Sequence, residues 1–215
     1  MSPMLRLAMP AALVLSLSGC MGLLGGGKTP PWLLTLTPQS PAPGNISRTA
    51  AAGQAITIEL PVVPKEIRTN RVPVHSGPTA IAYVKDLTWV DTPDKLFQDL
   101  LTETVTRTTN KVVLDPKQSS LDPGVTITGS LSRFGYNAQE GMVVVQYDAA
   151  KSRAGGNSVE TRRFEAREPA DGTASSVAPA INAAANRVAI EEIKRAVSPS
   201  IEPAATVSVT GRVTL

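Results

Sequence analysis

The chain has 215 residues, 21 basic and 18 acidic side chains, a formal net charge of +3, 4% aromatic residues and one cysteine. That balance gives no footing for nucleic-acid binding, the scarcity of aromatic residues argues against an aromatic-lined sugar or nucleobase site, and a single cysteine excludes a disulfide framework. The fold must stand on its apolar core alone.

The first nineteen residues read as a signal peptide. Met1 to Arg6 carries one positive charge, Leu7 to Leu17 is apolar, and Leu17-Ser18-Gly19-Cys20 is a lipobox. The apolar run is too short to span a bilayer comfortably, and the small residues after it suit a peptidase cleft. At a lipobox the cysteine thiol takes a diacylglycerol before cleavage, so Cys20 is expected to become the lipid-bearing first residue of the mature chain. Two or three acyl chains, at ~0.8 kcal/mol per buried methylene, hold a protein on a membrane far more firmly than one. Without Arg6 the mature chain carries 20 basic against 18 acidic side chains, or +2. It is one domain of ordinary size.

Residues 20–31 are Gly-rich and end in Pro30-Pro31, the composition of a flexible tether. Trp32 to Leu36 is a short β-prone run, and Pro38 to Gly53 has the Pro and Gly content of a mobile loop. In Ala55 to Leu60, Ile56, Ile58 and Leu60 alternate, which predicts a half-buried strand ended by Pro61 and Pro64. Asn70–Val74 and Thr79–Val84 flank Ser76-Gly77-Pro78 and predict a hairpin.

Thr92 is placed to cap a helix that Pro93 opens, with Asp94 favoured by the helix dipole. Leu96, Phe97, Leu100, Leu101 and Val105 then form one apolar stripe through about Thr108, to pack on a sheet. Val112–Leu114 is a short strand. After the Asp122-Pro123-Gly124 turn come three antiparallel runs: Val125 to Tyr136, Met142 to Ala149, and Val159 to Arg167 beyond Gly155-Gly156-Asn157. Val177, Ile181, Ala184, Val188, Ile193 and Val197 predict a second long helix over Ser175–Val197, stopped by Ser198-Pro199. Residues 199–215 are a C-terminal tail or an extra strand. The expected fold class is α+β, a mixed or antiparallel sheet packed by two main helices.

This order of segments resembles the ABC-type transport auxiliary lipoproteins, the PqiC/YmbA-like family. The residues that carry the resemblance are Trp32-Leu33-Leu34-Thr35-Leu36, Ile58-Glu59-Leu60-Pro61 with Pro64, Arg71-Val72-Pro73-Val74, Tyr83, and Trp89 followed by the Pro-started helix with Leu96, Leu100 and Leu101. It covers residues 32–198. The family commonly has a Tyr-Tyr pair where Trp32-Leu33 stands, and a different connection from Lys65-Glu66-Ile67-Arg68. The resemblance implies a domain similar to the TolB amino-terminal domain and a non-catalytic lipoprotein held in the outer membrane through Cys20, facing the periplasm. It further implies an MCE-domain partner and inner-membrane ABC transporter components that move lipids between membranes. Met21 after Cys20 is compatible with outer-membrane sorting.

A rival reading is a pilot or assembly lipoprotein for an outer-membrane pore or secretin. An enzyme is disfavoured: the one histidine, His75, falls in the hairpin as a solvent-facing strand residue, and lipidation uses the only cysteine. No cofactor and no metal are expected, since Asp91, Asp94 and Asp99 read as a helix amino-terminal charge bias. Arg162, Arg163 and Arg167 are offset by Glu160, Glu165 and Glu168 and read as a solvated face. Arg71, Tyr83 and Trp89 are the candidate partner-binding residues; for Tyr83 and Trp89 core packing is the equal alternative. Whether copies of the chain form a ring or other oligomer is open in the sequence.

Overall fold

The structure, a computed structural model, describes residues 33–117, 122–155 and 158–198. The signal peptide, Cys20, the tether, Trp32 and the tail 199–215 lie outside the described residues. The element order is β1 (Ile56–Ile58), β2 (Arg71–His75), β3 (Ile81–Thr88), α1 (Pro93–Thr108), β4 (Val113–Leu114), β5 (Val125–Asn137), β6 (Met142–Arg153), β7 (Val159–Pro169) and α2 (Ala174–Val197). The fold is α+β, two helices on a mixed sheet of seven strands.

Strand β5 organises the sheet. One edge pairs along its length with β6, which pairs in turn with β7, both antiparallel. On its other edge the first part takes β1 in parallel at Val125–Ile127, and the end takes β2 in parallel at Tyr136 and Asn137. A bulge between Leu131 and Arg133 lets one strand serve both ends. Leu131 and Phe134 are three residues apart, yet each is fully buried, because the extra residue at the bulge resets the two-residue alternation.

Both helices pack against the inner face of the sheet. From α1 come Leu96, Phe97, Leu100, Leu101 and Val105; from α2 come Val177, Ile181, Ala184, Val188 and Ile193. Alanines at 180, 184, 185 and 189 are buried and let α2 lie close on β6 and β7. At the centre Phe97 meets Phe134 and Tyr147 edge-on at 6.2 and 5.2 Å, and Trp89 tilts on Phe134 at 5.5 Å. The Tyr147 ring closes over Gly129, where a Cβ would come within 2.6 Å of ring carbon, so only glycine fits there.

Four expectations change. β1 is not half-buried: Ile56, Thr57 and Ile58 are 1%, 6% and 2% exposed, since the strand lies between β4 and β5 in parallel and is covered on both faces. The Thr92 hydroxyl makes no capping bond; instead the Thr92 N–H donates to Asp91 Oδ1 at 2.7 Å, while Pro93 does open α1. In the run read as a first strand, only Leu34 among the described residues pairs, through one parallel bridge with Trp89. The stretch Pro38 to Gly53 is irregular but tied down at intervals. Gln39 N–H donates to Asn186 Oδ1 at 2.8 Å, Arg107 donates to the Ser40 carbonyl at 2.9 Å, and Arg48 donates to the Thr106 carbonyl at 2.7 Å.

Candidate binding surface

Arg71 and Tyr83 come together on the β2–β3 hairpin. Arg71 pairs in register with Thr88, and Pro73 with Tyr83. A bulge between them brings the Arg71 guanidinium 4.2 Å above the Tyr83 ring, a cation–π contact on an exposed strand surface. The bulge falls where Asp86 takes φ +56°, a left-handed conformation that a short acidic side chain tolerates better than most.

Trp89 does not join them. It is 1% exposed and packs on Phe134, so it belongs to the core and is removed from the surface set. Strand phase accounts for the difference: past the bulge, Leu87 and Trp89 point inward while Thr88 and Val90 point outward. His75 ends β2 half-buried, where its carbonyl accepts from the Ala138 N–H at 3.0 Å.

The second surface is the outer face of β5, β6 and β7, which no helix covers. Asp148 sits at its middle, accepting from Arg163 at 2.5 Å and from the Ser132 hydroxyl at 2.9 Å. The Arg163 bond holds the Asp148 carboxyl below the ordinary carboxylate value and raises the guanidinium in turn. Gln146 links the group, its nitrogen donating to Glu165 at 2.8 Å. Arg167 bonds Glu165 at 2.7 Å and also pairs with Glu140, whereas Glu168, in the inward phase of β7, pairs with Arg187 of α2. The arginines at 162, 163 and 167 are all exposed, and the small side chains of Ala150 and Thr161 leave a shallow depression beside the Asp148–Arg163 pair. Such pairs contribute little stability in water but present fixed donors and acceptors to a partner.

A third cluster escaped the sequence reading. Under the end of α2, Lys151 is 3% exposed and Glu192 fully buried. Lys151 reaches Glu160 at 3.1 Å, and Arg195 grips Glu192 with two bonds, at 2.7 and 3.0 Å, while its guanidinium also lies 5.6 Å over Phe164. Burial raises the Glu192 carboxyl above its usual value against the opposing pull of Arg195; Lys151 lowers that of Glu160. The available signal was position, since Glu192 follows Val188 by four residues on the buried stripe of α2. These charges fasten the helix end to β6 and β7, with Glu160 at the solvent side of the cluster. Among the described residues no group of three or more His, Cys, Asp or Glu side chains is placed to hold a metal, and no helix is long and apolar enough to cross a membrane.

Comparison with known proteins bears on the fold and on the family. The chain is similar in fold to protein XCC0632 from Xanthomonas campestris, at 14% identity and a TM-score of 0.58, over 76% of this chain and 90% of that one. A second solved structure, of an uncharacterized protein, matches at 13% identity and a TM-score of 0.53, over 69% of this chain and 93% of that one. No curated protein matches the chain significantly. The family model described as the ABC-type transport auxiliary lipoprotein component matches residues 34–192, from the Leu34 bridge through every strand to the last turns of α2. This chain therefore belongs to the ABC-type transport auxiliary lipoprotein family.

Proposed function

We propose that this protein is the non-catalytic, Cys20-anchored outer-membrane subunit of an MCE/ABC-type system that moves lipids between membranes. It faces the periplasm and receives the MCE-domain protein on the uncovered face of its sheet. The observation that carries this reading is the family match across the whole sheet and both helices. The outer face of β5–β7 supports the docking role, because its ion pairs sit on a rigid meander and are open to a partner.

Affinity capture of the lipidated protein from mildly solubilised membranes, with Cys20→Ala as control, tests the reading. Recovery of an MCE-domain protein together with ABC transporter components is the expected result. Recovery of a secretin or barrel protein with no MCE protein would replace it with the pilot reading.

A further inference from the structure

Of the eight exposed large apolar side chains among the described residues, Ile81 (47% exposed), Val90 (50%) and Leu33 (51%) lie along β3, just past its end and on the segment bonded to its edge, while the other five, Val62 and Val159 among them, lie elsewhere. Ile81 pairs with His75 at the turn end of the hairpin, Tyr83 follows two residues on with Arg71 stacked above it, and Thr88 and Val90 continue outward past the bulge. Leu33 joins at the far end because its neighbour is bonded to the β3 edge: Leu34 N–H donates to the Thr88 carbonyl at 2.8 Å and Val90 N–H donates to the Leu34 carbonyl at 2.9 Å. Arg71 and Lys85 are exposed on the same hairpin, and neither has a carboxylate partner within 4 Å among the described residues.

This strip lies where the chain leaves the domain. Twelve residues, Met21 to Trp32, separate Cys20 from Leu33. Even fully extended they reach only about 40 Å. An anchor at Cys20 therefore keeps Leu33, and with it the β3 edge bonded to Leu34, within that reach of the bilayer. From the chemistry of the strip and the length and exit point of this segment, we infer that the outer surface of the β2–β3 hairpin, with Leu33 and Val90, rests on an anionic phospholipid surface. The inference relies on the reading of Cys20 as the lipid-bearing residue.

The chemistry matches such a surface. A tyrosine with an apolar body and a polar tip suits the headgroup level, Ile81, Val90 and Leu33 suit the acyl boundary beneath it, and two unpaired cations suit anionic headgroups. The contact need not be strong. A short tether holds its surface at an effective concentration in the millimolar range, so the strip sets orientation while the acyl chains supply the affinity. Sheet twist of about 20° per strand turns β7 roughly 80° away from β3, which leaves the Asp148–Arg163 face clear of the bilayer for a protein partner.

Cys20 is the only cysteine, so the mature chain produced without its signal can be coupled through it to a maleimide phospholipid. Amide hydrogen exchange is then compared between the free chain and the chain coupled into vesicles of phosphatidylethanolamine and phosphatidylglycerol. The expected result is several-fold slower exchange at Ile81–Val90 and Leu33–Leu34, with β7 unchanged and the protection removed by the Ile81→Asp, Val90→Asp double variant. Unchanged exchange at β3, or protection at β7 instead, overturns the proposal. Intact mass of the protein from its native membranes judges the anchor separately: an unmodified Cys20 overturns the membrane as occupant, whatever the vesicles show.

Discussion

The two faces of strand β6 differ sharply over its middle. Val145, Tyr147 and Ala149 point inward and are at most 2% exposed, whereas Gln146 and Asp148, set between them, point outward into the polar network. Nearer the start of the strand the outward Val144 is buried as well. One residue step along the chain separates side chains whose loss leaves a cavity from side chains whose partners can turn to water. The inner face can scarcely change without unfolding the domain. The outer face can change its recognition chemistry at little cost in stability.

Removing a central inner side chain should have the largest effect. Phe134, fully buried between Trp89 and Phe97, is expected on replacement by alanine to cost about 3–5 kcal/mol in chemical denaturation. A loss under about 1 kcal/mol would erase the contrast between the faces. Gly129→Ala comes next, at about 1–3 kcal/mol, because the new methyl would lie 2.6 Å from both the Asp148 carbonyl oxygen and the Tyr147 ring. A neutral result would mean that the ring moves freely and that the core is packed less tightly than its burial implies.

The buried charges sharpen the comparison through pH. Glu192 has its folded pKa raised above the usual 4.5, chiefly by burial. A raised value means that its contribution to stability is fully present below the unfolded pKa and is lost as pH rises through the folded one. The Tm of the native chain relative to Glu192→Gln should therefore fall as pH rises above the ordinary carboxylate range and level off once the buried carboxyl has ionised. A difference that rises with pH would show that Arg195 and Lys151 outweigh desolvation and favour the carboxylate inside the fold.

Period and punctuation made most of the fold legible. The Val143-Val144-Val145 run of β6, the 3.6-residue stripes of both helices and the Asp122-Pro123-Gly124 turn each carry their own local signal, and each became the expected element. Parallel pairing carries none. Ile56–Ile58 looked half-buried because its covering partners, Val113–Leu114 and Val125–Ile127, lie more than fifty residues downstream. Trp89 was undecidable for a related reason, since which face it takes depends on the bulge at Asp86, and one shifted residue exchanges inside for outside. The Arg71–Tyr83 contact depends on that same bulge. The outer-face network was half legible: Glu160 to Glu168 alternates charge visibly, but its central acid, Asp148, comes from the neighbouring strand.

Asp148 also gives the smallest expected effect on stability and the most direct test of what its face is for. Arg163 and Ser132 hold its carboxyl below the ordinary value, so its contribution is present above the unfolded pKa and lost as pH falls through the folded one. The pair is open to water, with Arg163 65% and Asp148 33% exposed, and solvent screening limits the cost of Asp148→Asn to less than about 1 kcal/mol near neutral pH. The same change removes the acid at the centre of the uncovered face. Capture of the proposed MCE-domain partner should drop several-fold while Tm barely moves. A large fall in Tm would mean that the outer network stabilises the meander as the core does. Unchanged capture by Asp148→Asn combined with Arg163→Ala would move the docking site off this face, because two adjacent charges cannot both be lost from a protein interface built around them without changing its off-rate.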